Sequence, residues 1–269
     1  MSVSAPSRLT PPRRMSPFRA QRIWERNVLV YRRLWKIIFT GFFEPVLYLF
    51  SIGIGIGVLV GDVTLSNGQS VPYAAFVAPA LMATSAMNGA VLETTFNIFF
   101  RLKFEKVYEG MLTTPLVTRD IAVGELGWSL LRGFAYASVF LLVMALMGLT
   151  ESWWALMMIP GAVLIGFAFG AAGLAAATLM RSWQDLDLVS LITIPLFLFS
   201  ATFYPIDVYP PWIQKLALLS PLYHGSEMMR AFSFGIFEWN LAVHISFLVV
   251  FGLIGAAIAS RRLDGMLRK

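Results

Sequence analysis

The sequence predicts an all-α membrane protein with six transmembrane helices, and two observations support that fold class. Of its 269 residues, 58% are hydrophobic and only 13% are charged, too few polar side chains to cover a globular surface. Apolar stretches of roughly 20 residues, the length that crosses a bilayer, also recur along the chain. The six predicted spans are residues 37–60, 72–96, 121–148, 153–180, 188–204 and 239–259.

The distribution of basic residues predicts the orientation of these spans. Of 21 lysines and arginines, nine precede residue 37, four lie in residues 101–120, one is Arg181, and four lie in the last nine residues. Loops on the cytoplasmic side of a membrane carry the excess of such residues. We therefore expect a multi-pass membrane protein with both termini in the cytoplasm.

The chain divides into three predicted parts. Residues 1–18 form a mobile basic tail, residues 19–36 an amphipathic interface helix, and residues 37–269 a single six-helix domain. The interface helix places aromatic side chains on one face and basic side chains, Arg22, Arg26 and Arg33, on another. Such a helix lies flat at the lipid headgroups, and the alternative is a soluble extension of the first span.

A mixed-charge segment, "RLKFEKVYEGMLTTPLVTRD", separates the second and third spans. Phe104, Val107, Tyr108 and Met111 recur at helical spacing, which predicts a short amphipathic helix at about 101–112. Arg101 and Glu105 are placed to pair within it. Its apolar stripe must be covered by another protein, by lipid or by the chain's own bundle. After breaks at Gly110 and Pro115, Thr118 is predicted to cap the third span, with Asp120 in its first turn.

The segment "FLFSATFYPIDVYPPWIQKLALLSPLYHGSEMMRAF", residues 197–232, is too long for a turn and too interrupted by proline for a span. It predicts a re-entrant helical hairpin on the outer side at about 205–232, placed to close the outer mouth of the bundle. Pro211 and Pro221 suit first-turn positions, and Ser220 suits an N-cap. Glu227 and Arg230 are spaced for a helix pair or a gate element.

Three ionisable residues fall inside predicted spans: Glu44, Glu93 and Arg132. Buried charges in a membrane are costly and indicate either function or mutual pairing. They could attract a polar substrate headgroup or pair to hold the bundle together. We favour structural pairing, because both signs of charge are present.

Several classes of chemistry are not supported by the sequence. The chain has no Gly-Lys dipeptide and therefore no G-x-x-x-x-G-K-[ST] phosphate loop. It has no cysteine, and its histidines, His224 and His244, are isolated in sequence, so no metal site is predicted. No nucleophile-elbow or zinc-protease signature appears, so no catalytic residues are predicted. We expect no cofactor bound by this chain and no nucleic-acid partner, since the net charge of +6 is explained by topology.

Residues 103–126, "KFEKVYEGMLTTPLVTRDIAVGEL", and residues 196–232 resemble ABC-2 type exporter permeases, the membrane subunits of ATP-binding-cassette transporters. The resemblance is greatest to the branch that exports lipooligosaccharides, nodulation factors and drugs. It covers nearly all of the chain after the tail. One departure is Ala201, where the family commonly has glycine, and tighter packing there could alter the hairpin.

The resemblance implies a bacterial-type plasma (inner) membrane location, a function and a set of contact residues. The chain would export a lipid-like or amphiphilic substrate, such as a glycolipid, a lipooligosaccharide or a drug. ATP and magnesium would bind to two copies of a separate cytoplasmic ATPase, and a second permease chain, identical or related, would complete the unit within the membrane lipids. The ATPase would contact Phe104, Glu105, Lys106, Tyr108, Glu109 and Met111. The outer gate would comprise Tyr204, Pro205, Trp212, Pro221, Glu227 and Arg230.

Two alternatives remain open at the level of sequence. An ion-coupled carrier usually shows an internal repeat and acidic coupling sites near the membrane midplane, and no convincing repeat is present. The second alternative is a structural membrane subunit with no transport path of its own. Neither alternative is an enzyme.

Overall fold

The computed structural model describes residues 23–29, 43, 46–65 and 68–267. These residues are largely helical, with one short β-hairpin of β1 (Asp62–Thr64) and β2 (Ser70–Pro72). The helices are α1 (23–29), α2 (Val46–Val60), α3 (Tyr73–Lys103), α4 (Val107–Leu112), α5 (Thr118–Leu146), α6 (Trp153–Leu179), α7 (Asp185–Phe199), α8 (Pro211–Ala217), α9 (Pro221–Phe234) and α10 (Trp239–Leu267). The predicted tail and most of the predicted interface helix lie outside the described residues.

Four of these helices, α3, α5, α6 and α10, are long and apolar enough to cross a membrane. They match the second, third, fourth and sixth predicted spans. The first and fifth predicted spans coincide with α2 and α7, and α7 has 15 residues. A 15-residue helix is about 22 Å long, shorter than the roughly 30 Å hydrocarbon core. The all-α membrane fold is confirmed, whereas six complete spans and the re-entrant path of the hairpin stay predictions.

Helix α6 lies at the centre of the bundle, packed against α3, α5 and α10. Its small residues permit this close approach. A Cβ atom on Gly173 would lie 2.3 Å from the Thr94 hydroxyl of α3, and one on Gly255 of α10 would lie 2.8 Å from the Ala172 backbone nitrogen of α6. Any larger side chain at either glycine would therefore separate the helices.

Helix α3 is the most enclosed of the four, since 72% of its most apolar window is buried, against 22% for α10. It contains a π-helical turn, Glu93–Asn97. Thr94 and Thr95 donate to the carbonyls of Ala90 and Val91 at 2.7 and 2.5 Å. Such turns are frequent at functional sites.

The segment between α3 and α5 is not the single helix predicted at about 101–112. Helix α3 ends at Lys103, where the backbone N–H groups of Phe104 and Glu105 both donate to the Phe100 carbonyl at 3.0 Å. Lys106 then adopts a left-handed conformation with φ of 49°, and α4 begins at Val107. Gly110, expected to break the helix, lies inside α4.

Helix α5 begins one residue away from the predicted cap. Val117 occupies the N-cap position and Thr118 is the first helical residue. The Asp120 carboxylate accepts from the Val117 backbone N–H at 3.2 Å, so this acidic residue fastens the first turn as expected.

The two helices predicted for the hairpin between α7 and α10 are present. Pro211 and Pro221 occupy first-turn positions of α8 and α9, and Ser220 accepts a hydrogen bond from the Tyr223 backbone N–H at 3.4 Å. Both predictions about helix starts are confirmed. A 3₁₀ turn, Ile206–Val208, precedes α8.

Candidate functional site

A buried carboxylate on α5, Glu125, joins three elements at the end of the bundle that carries α4. Its side chain is 2% exposed. Arg101 from the end of α3 donates to it at 2.7 Å, and the Tyr108 hydroxyl from α4 donates at 3.2 Å. Arg26 and Asn27 from α1 approach it at 3.4 and 3.5 Å. We call these five residues the Glu125 node.

The Glu125 carboxylate is surrounded by hydrogen-bond donors. Two guanidinium groups and a hydroxyl donor compensate the one buried carboxylate, and hydrogen bonds to charged groups are the strong ones. Burial, followed by the nearby Glu125 charge, raises the pKa of Tyr108 well above its ordinary value of 10.0. Tyr108 therefore remains a neutral donor at any physiological pH.

Helix α1 packs directly on α5. Ile23 is 2% exposed, and the Trp24 indole N–H donates to the Gly124 carbonyl at 2.9 Å. The ring lies where a Cβ on Gly127 would be, at 2.6 Å, so only glycine admits it there. Part of the face predicted to lie against lipid is thus docked on the protein. Of the predicted basic face, Arg26 joins the Glu125 node, and Arg22 and Arg33 lie outside the described residues.

The structure divides the predicted ATPase-contacting residues into two sets. Phe104, Glu105, Lys106 and Glu109 are exposed, Phe104 by 61%. Tyr108 is 1% exposed and Met111 packs against the chain's own core. Tyr108 is therefore not available to a partner protein, because its side chain is buried and its hydroxyl donates to Glu125. We call residues 104–112 the coupling segment.

The predicted pair between Arg101 and Glu105 is wrong. Arg101 lies in α3 and points to Glu125, whereas Glu105 follows the end of that helix in an exposed turn. The stronger partner is the buried carboxylate, since a surface pair would contribute little.

The predicted intramembrane charges pair with each other. Arg132 of α5 lies 2.8 Å from the Glu93 carboxylate of α3, which also accepts from Asn97 at 2.6 Å. The Arg132 guanidinium lies 5.7 Å from the centre of the Tyr136 ring. This is the structural pairing that we favoured from sequence. Glu44 lies outside the described residues.

At the opposite end of the bundle, Arg230 of α9 holds irregular backbone together. Its guanidinium is buried and donates to the carbonyls of Phe76, Ala201 and Thr202 at 3.2, 2.5 and 3.1 Å. It also pairs with Glu227 at 2.5 Å, as the spacing predicted. We call Arg230, Glu227 and the three carbonyls the Arg230 clamp.

The remaining predicted gate residues lie between residues 204 and 221, in the segment that joins α7 to α9. Pro205 is the N-cap of the 3₁₀ turn, and Pro221 is the first residue of α9. Tyr204 is 39% exposed and Trp212 is 65% exposed. Ala201, flagged for standing where glycine is common, has φ of 54° and is fully buried. This left-handed conformation explains a preference for glycine there.

The two histidines, isolated in sequence, meet in space. The Nδ1 atoms of His224 and His244 lie 2.7 Å apart, and Nε2 of His224 lies 3.0 Å from the Leu218 carbonyl. Within the described residues, no three His, Cys, Asp or Glu side chains are grouped to hold a metal ion. The pair therefore fastens α9 to α10.

A family model described as ABC-2 type transporter matches residues 19–234. The chain belongs to the ABC-2 type transporter family. Nodulation protein J of Rhizobium leguminosarum bv. viciae is 32% identical over 248 residues, covering 90% of this chain and 93% of that protein. Nodulation protein J of Sinorhizobium fredii (strain NBRC 101917 / NGR234) is 31% identical, with 86% and 87% covered.

A further relative of this ABC-2 family member is the inner membrane transport permease YadH of Escherichia coli (strain K12). It is 26% identical over 234 residues, 85% of this chain and 88% of YadH. The family, together with four apolar helices of spanning length, identifies a multi-pass membrane protein.

Sequence reasoning missed Glu125 as a site residue. Its partners lie 17, 24 and about 100 positions away, beyond the reach of helical periodicity. One signal in the sequence could have identified Glu125 as buried. It is an acidic residue near the start of the third predicted span, flanked by the small residues Gly124 and Gly127. An intramembrane acid of this kind predicts a partner without naming it.

Proposed function

We propose that this ABC-2 protein is the membrane-spanning permease subunit of an ATP-binding-cassette exporter. It moves a lipid-like or amphiphilic substrate, such as a glycolipid, a lipooligosaccharide or a drug, out of the cytoplasm or inner leaflet. Supporting this are the family, a relative that is itself a transport permease, and a sequence with no phosphate loop of its own. The energy then comes from ATP hydrolysed by a separate subunit with magnesium.

The observation that carries the proposal is the Glu125 node beneath the coupling segment. Phe104, Glu105 and Glu109 offer an exposed surface, while Tyr108 between them reaches inward to the carboxylate on α5. Arg101, at the end of α3, forms a salt bridge with the same carboxylate. Displacement of the exposed surface therefore pulls on two membrane-crossing helices through charge-assisted hydrogen bonds.

The working unit in this proposal has two ATPase subunits and two permease chains. The termini and the coupling segment face the cytoplasm, in keeping with the basic residues at that end. The ATPase pair drives transport by binding one arrangement of the helices more tightly than the other, since a partner shifts a conformational equilibrium only through differential affinity.

Co-purification from native membranes tests the partnership. The permease should retain an ABC ATPase, detectable by ATP hydrolysis and by identification of the polypeptide. Replacing Glu105 by Arg together with Phe104→Ala should remove the ATPase, because both side chains are exposed on the coupling segment. Glu151→Arg is the matched control, an exposed acid on a different loop. A double variant that keeps its ATPase would overturn the docking surface.

A further inference from the structure

The two histidines at the end of the bundle that carries the Arg230 clamp are titratable groups in direct contact. His224 lies near the start of α9 and is 6% exposed. His244 lies near the start of α10, and the Nδ1 atoms of the two rings are 2.7 Å apart. The Phe247 ring of α10 stacks on the His224 ring, with the ring centres 4.0 Å apart. The two imidazoles therefore face each other through the same kind of nitrogen.

A third contact determines which nitrogen of each neutral ring carries its proton. Nε2 of His224 lies 3.0 Å from the Leu218 carbonyl oxygen. A carbonyl can only accept, so Nε2 of His224 donates, and Nδ1 of the same neutral ring has no proton. The short contact between the two Nδ1 atoms is then a hydrogen bond only if Nδ1 of His244 donates. The two neutral rings are therefore opposite tautomers.

The number of added protons decides whether this hydrogen bond survives. A first added proton enters Nε2 of His244, which leaves the bond between the Nδ1 atoms in place and makes its donor a charged ring. A second added proton can enter only Nδ1 of His224. Two N–H groups and two positive charges then meet across 2.7 Å, so the attraction becomes a repulsion.

The surroundings of the pair set the direction of its pH dependence. Burial lowers the pKa of His224 from its ordinary value of 6.5. The hydrogen-bonded pair is therefore complete above pH 6.5 and is lost as the pH falls through the lower folded value. The Tyr223 ring contacts both imidazoles, at 5.6 and 5.9 Å, but burial raises its pKa to about 12, so it stays neutral in this range.

One charged side chain of the described part of the chain acts on both rings. Glu227 lies one turn further along α9 and favours the charged form of each ring, although its carboxylate already pairs with Arg230. Of the helices packed on α9, α6 has no titratable side chain. The other titratable groups of this end are the Tyr73 phenol of α3 and exposed charges on the connecting segments and on α8: Asp62, Glu151, Asp207, Lys215 and Glu238.

Loss of the hydrogen bond would act mainly on α8. The Arg230 clamp, less than two turns further along, holds α9 to α3 and to the turn after α7. Helix α8 is held more loosely, since Ala217 is the one buried residue among its seven. When His224 turns away from His244, its Nε2 also leaves the Leu218 carbonyl, which directly follows α8.

We propose that His224 and His244 form a proton-sensitive latch between the α8–α9 hairpin and α10. The latch is closed while the pair carries at most one added proton, and it opens when the pair carries two. Opening releases α8 and the turn before α9, while the Arg230 clamp keeps the rest of α9 in place. Acid therefore loosens this end of the bundle.

Nuclear magnetic resonance on the unsubstituted protein tests the proton arrangement. The chain has two histidines, so labelling with ¹⁵N-histidine reports this pair alone when the purification tag contains no histidine. Solid-state spectra in nanodiscs at about pH 8 should show opposite tautomers, one ring protonated at Nε2 and the other at Nδ1. On acidification the two rings should take up protons in two coupled steps. The same tautomer in both rings, or two rings that titrate independently, would overturn the proposal.

Spin labels measure the opening itself. Leu219→Cys places one label in the turn after α8 and Leu253→Cys places the other on α10, at positions where the native side chains are 70% and 57% exposed. The labelled permease is diluted with unlabelled permease. The distance between the labels should be short and narrowly distributed at about pH 8, and longer and broader at about pH 4.5. An unchanged distribution would contradict the latch.

His244→Asn separates the pair from other groups that titrate in acid. The asparagine amide can donate to Nδ1 of His224 but cannot become charged, so the label distance should stay at its neutral value in acid. Ser246→Asn, at an exposed position on the same helix, is the matched control and should open like the parent protein. Opening of the His244→Asn protein to the same extent as the parent would assign the response to another group. None of these measurements needs an ATPase, so the latch and the exporter assignment can fail separately.

Discussion

Each end of the bundle buries a charged side chain, Glu125 at one end and Arg230 at the other, and the two are compensated differently. At the Glu125 node, an anion is held by side chains from α1, α3 and α4. At the Arg230 clamp, a cation is held largely by backbone carbonyls, two of them in the turn after α7. Arg26 in the node is 31% exposed, whereas Arg230 is 5% exposed.

This difference indicates different mechanical roles. A backbone carbonyl has no rotamers, so it cannot leave Arg230 unless the backbone itself moves. The Arg230 clamp therefore fixes the turn at residues 200–202 against α3 and α9. Side chains can change rotamer and partner, so the Glu125 node can transmit or release a displacement. We infer that the node end is the movable one and the clamp end the anchored one.

The clamp should be the most sensitive point for stability. Arg230→Met leaves the buried carbonyls of Phe76, Ala201 and Thr202 without this donor, and each buried acceptor left unsatisfied costs about 1–3 kcal/mol. Thermal unfolding in detergent should therefore show a large drop in midpoint. Lys215→Met is the control, an exposed cation on the preceding helix. Equal unfolding midpoints for the two variants would show that the Arg230 clamp does not anchor its end of the bundle.

Glu125→Gln should have the next largest effect. It keeps the shape of the side chain but removes the charge facing Arg26 and Arg101, at a cost of about 1.5–3 kcal/mol. ATP hydrolysis by a bound ATPase should persist while substrate movement falls. Glu109→Gln, at an exposed position, serves as the matched comparison. Full transport by Glu125→Gln would show that the node has no part in coupling.

Tyr108→Phe should cost about 1 kcal/mol, since one hydrogen bond to Glu125 is lost. It should also flatten the alkaline limb of the stability curve. The pKa of Tyr108 is raised on folding, so its contribution is complete below pH 10 and is lost as pH rises through the folded pKa. Unfolding curves between pH 9 and 11 measure this, and parallel curves for both proteins would argue against a buried Tyr108.

The smallest effect should separate the two arginines of the node. Arg101 is 13% exposed and lies 2.7 Å from Glu125, whereas Arg26 is 31% exposed and lies 3.4 Å away. Arg26→Gln should cost less than about 1 kcal/mol, as exposed pairs do, and Arg101→Gln clearly more. The reverse order would place α1, rather than α3, as the main support of Glu125.

Features local in sequence were predictable, and features of tertiary structure were not. The hydropathy pattern predicted the four spanning helices, α3, α5, α6 and α10. Pro211, Pro221 and Ser220 predicted where α8 and α9 begin. The pair of Glu93 and Arg132 was predictable because two opposite charges inside predicted spans are costly unless they pair with each other.

The coupling segment shows where such reasoning stops. Helical spacing placed Tyr108 and Phe104 on one stripe, but the left-handed Lys106 between them breaks the helix, so one ring is buried and the other exposed. Nothing local predicts that break. Glu125 was equally hidden, because its partners come from distant elements, and the β-hairpin before α3 lacked any alternating pattern long enough to detect.

Spin-label distances test the central claim, that the node joins the coupling segment to α5, most directly. The chain has no cysteine, so spin labels attach only to the two introduced cysteines. Thr113→Cys places one label just after α4, and Leu131→Cys places the other on α5, both at exposed positions. The measurement uses the ATPase complex, diluted with unlabelled permease, before and after trapping with ATP and vanadate. The account predicts an unchanged distance in the protein with Glu125 and a shifted or broadened one in Glu125→Gln. A nucleotide-dependent shift that is the same in both proteins would contradict it.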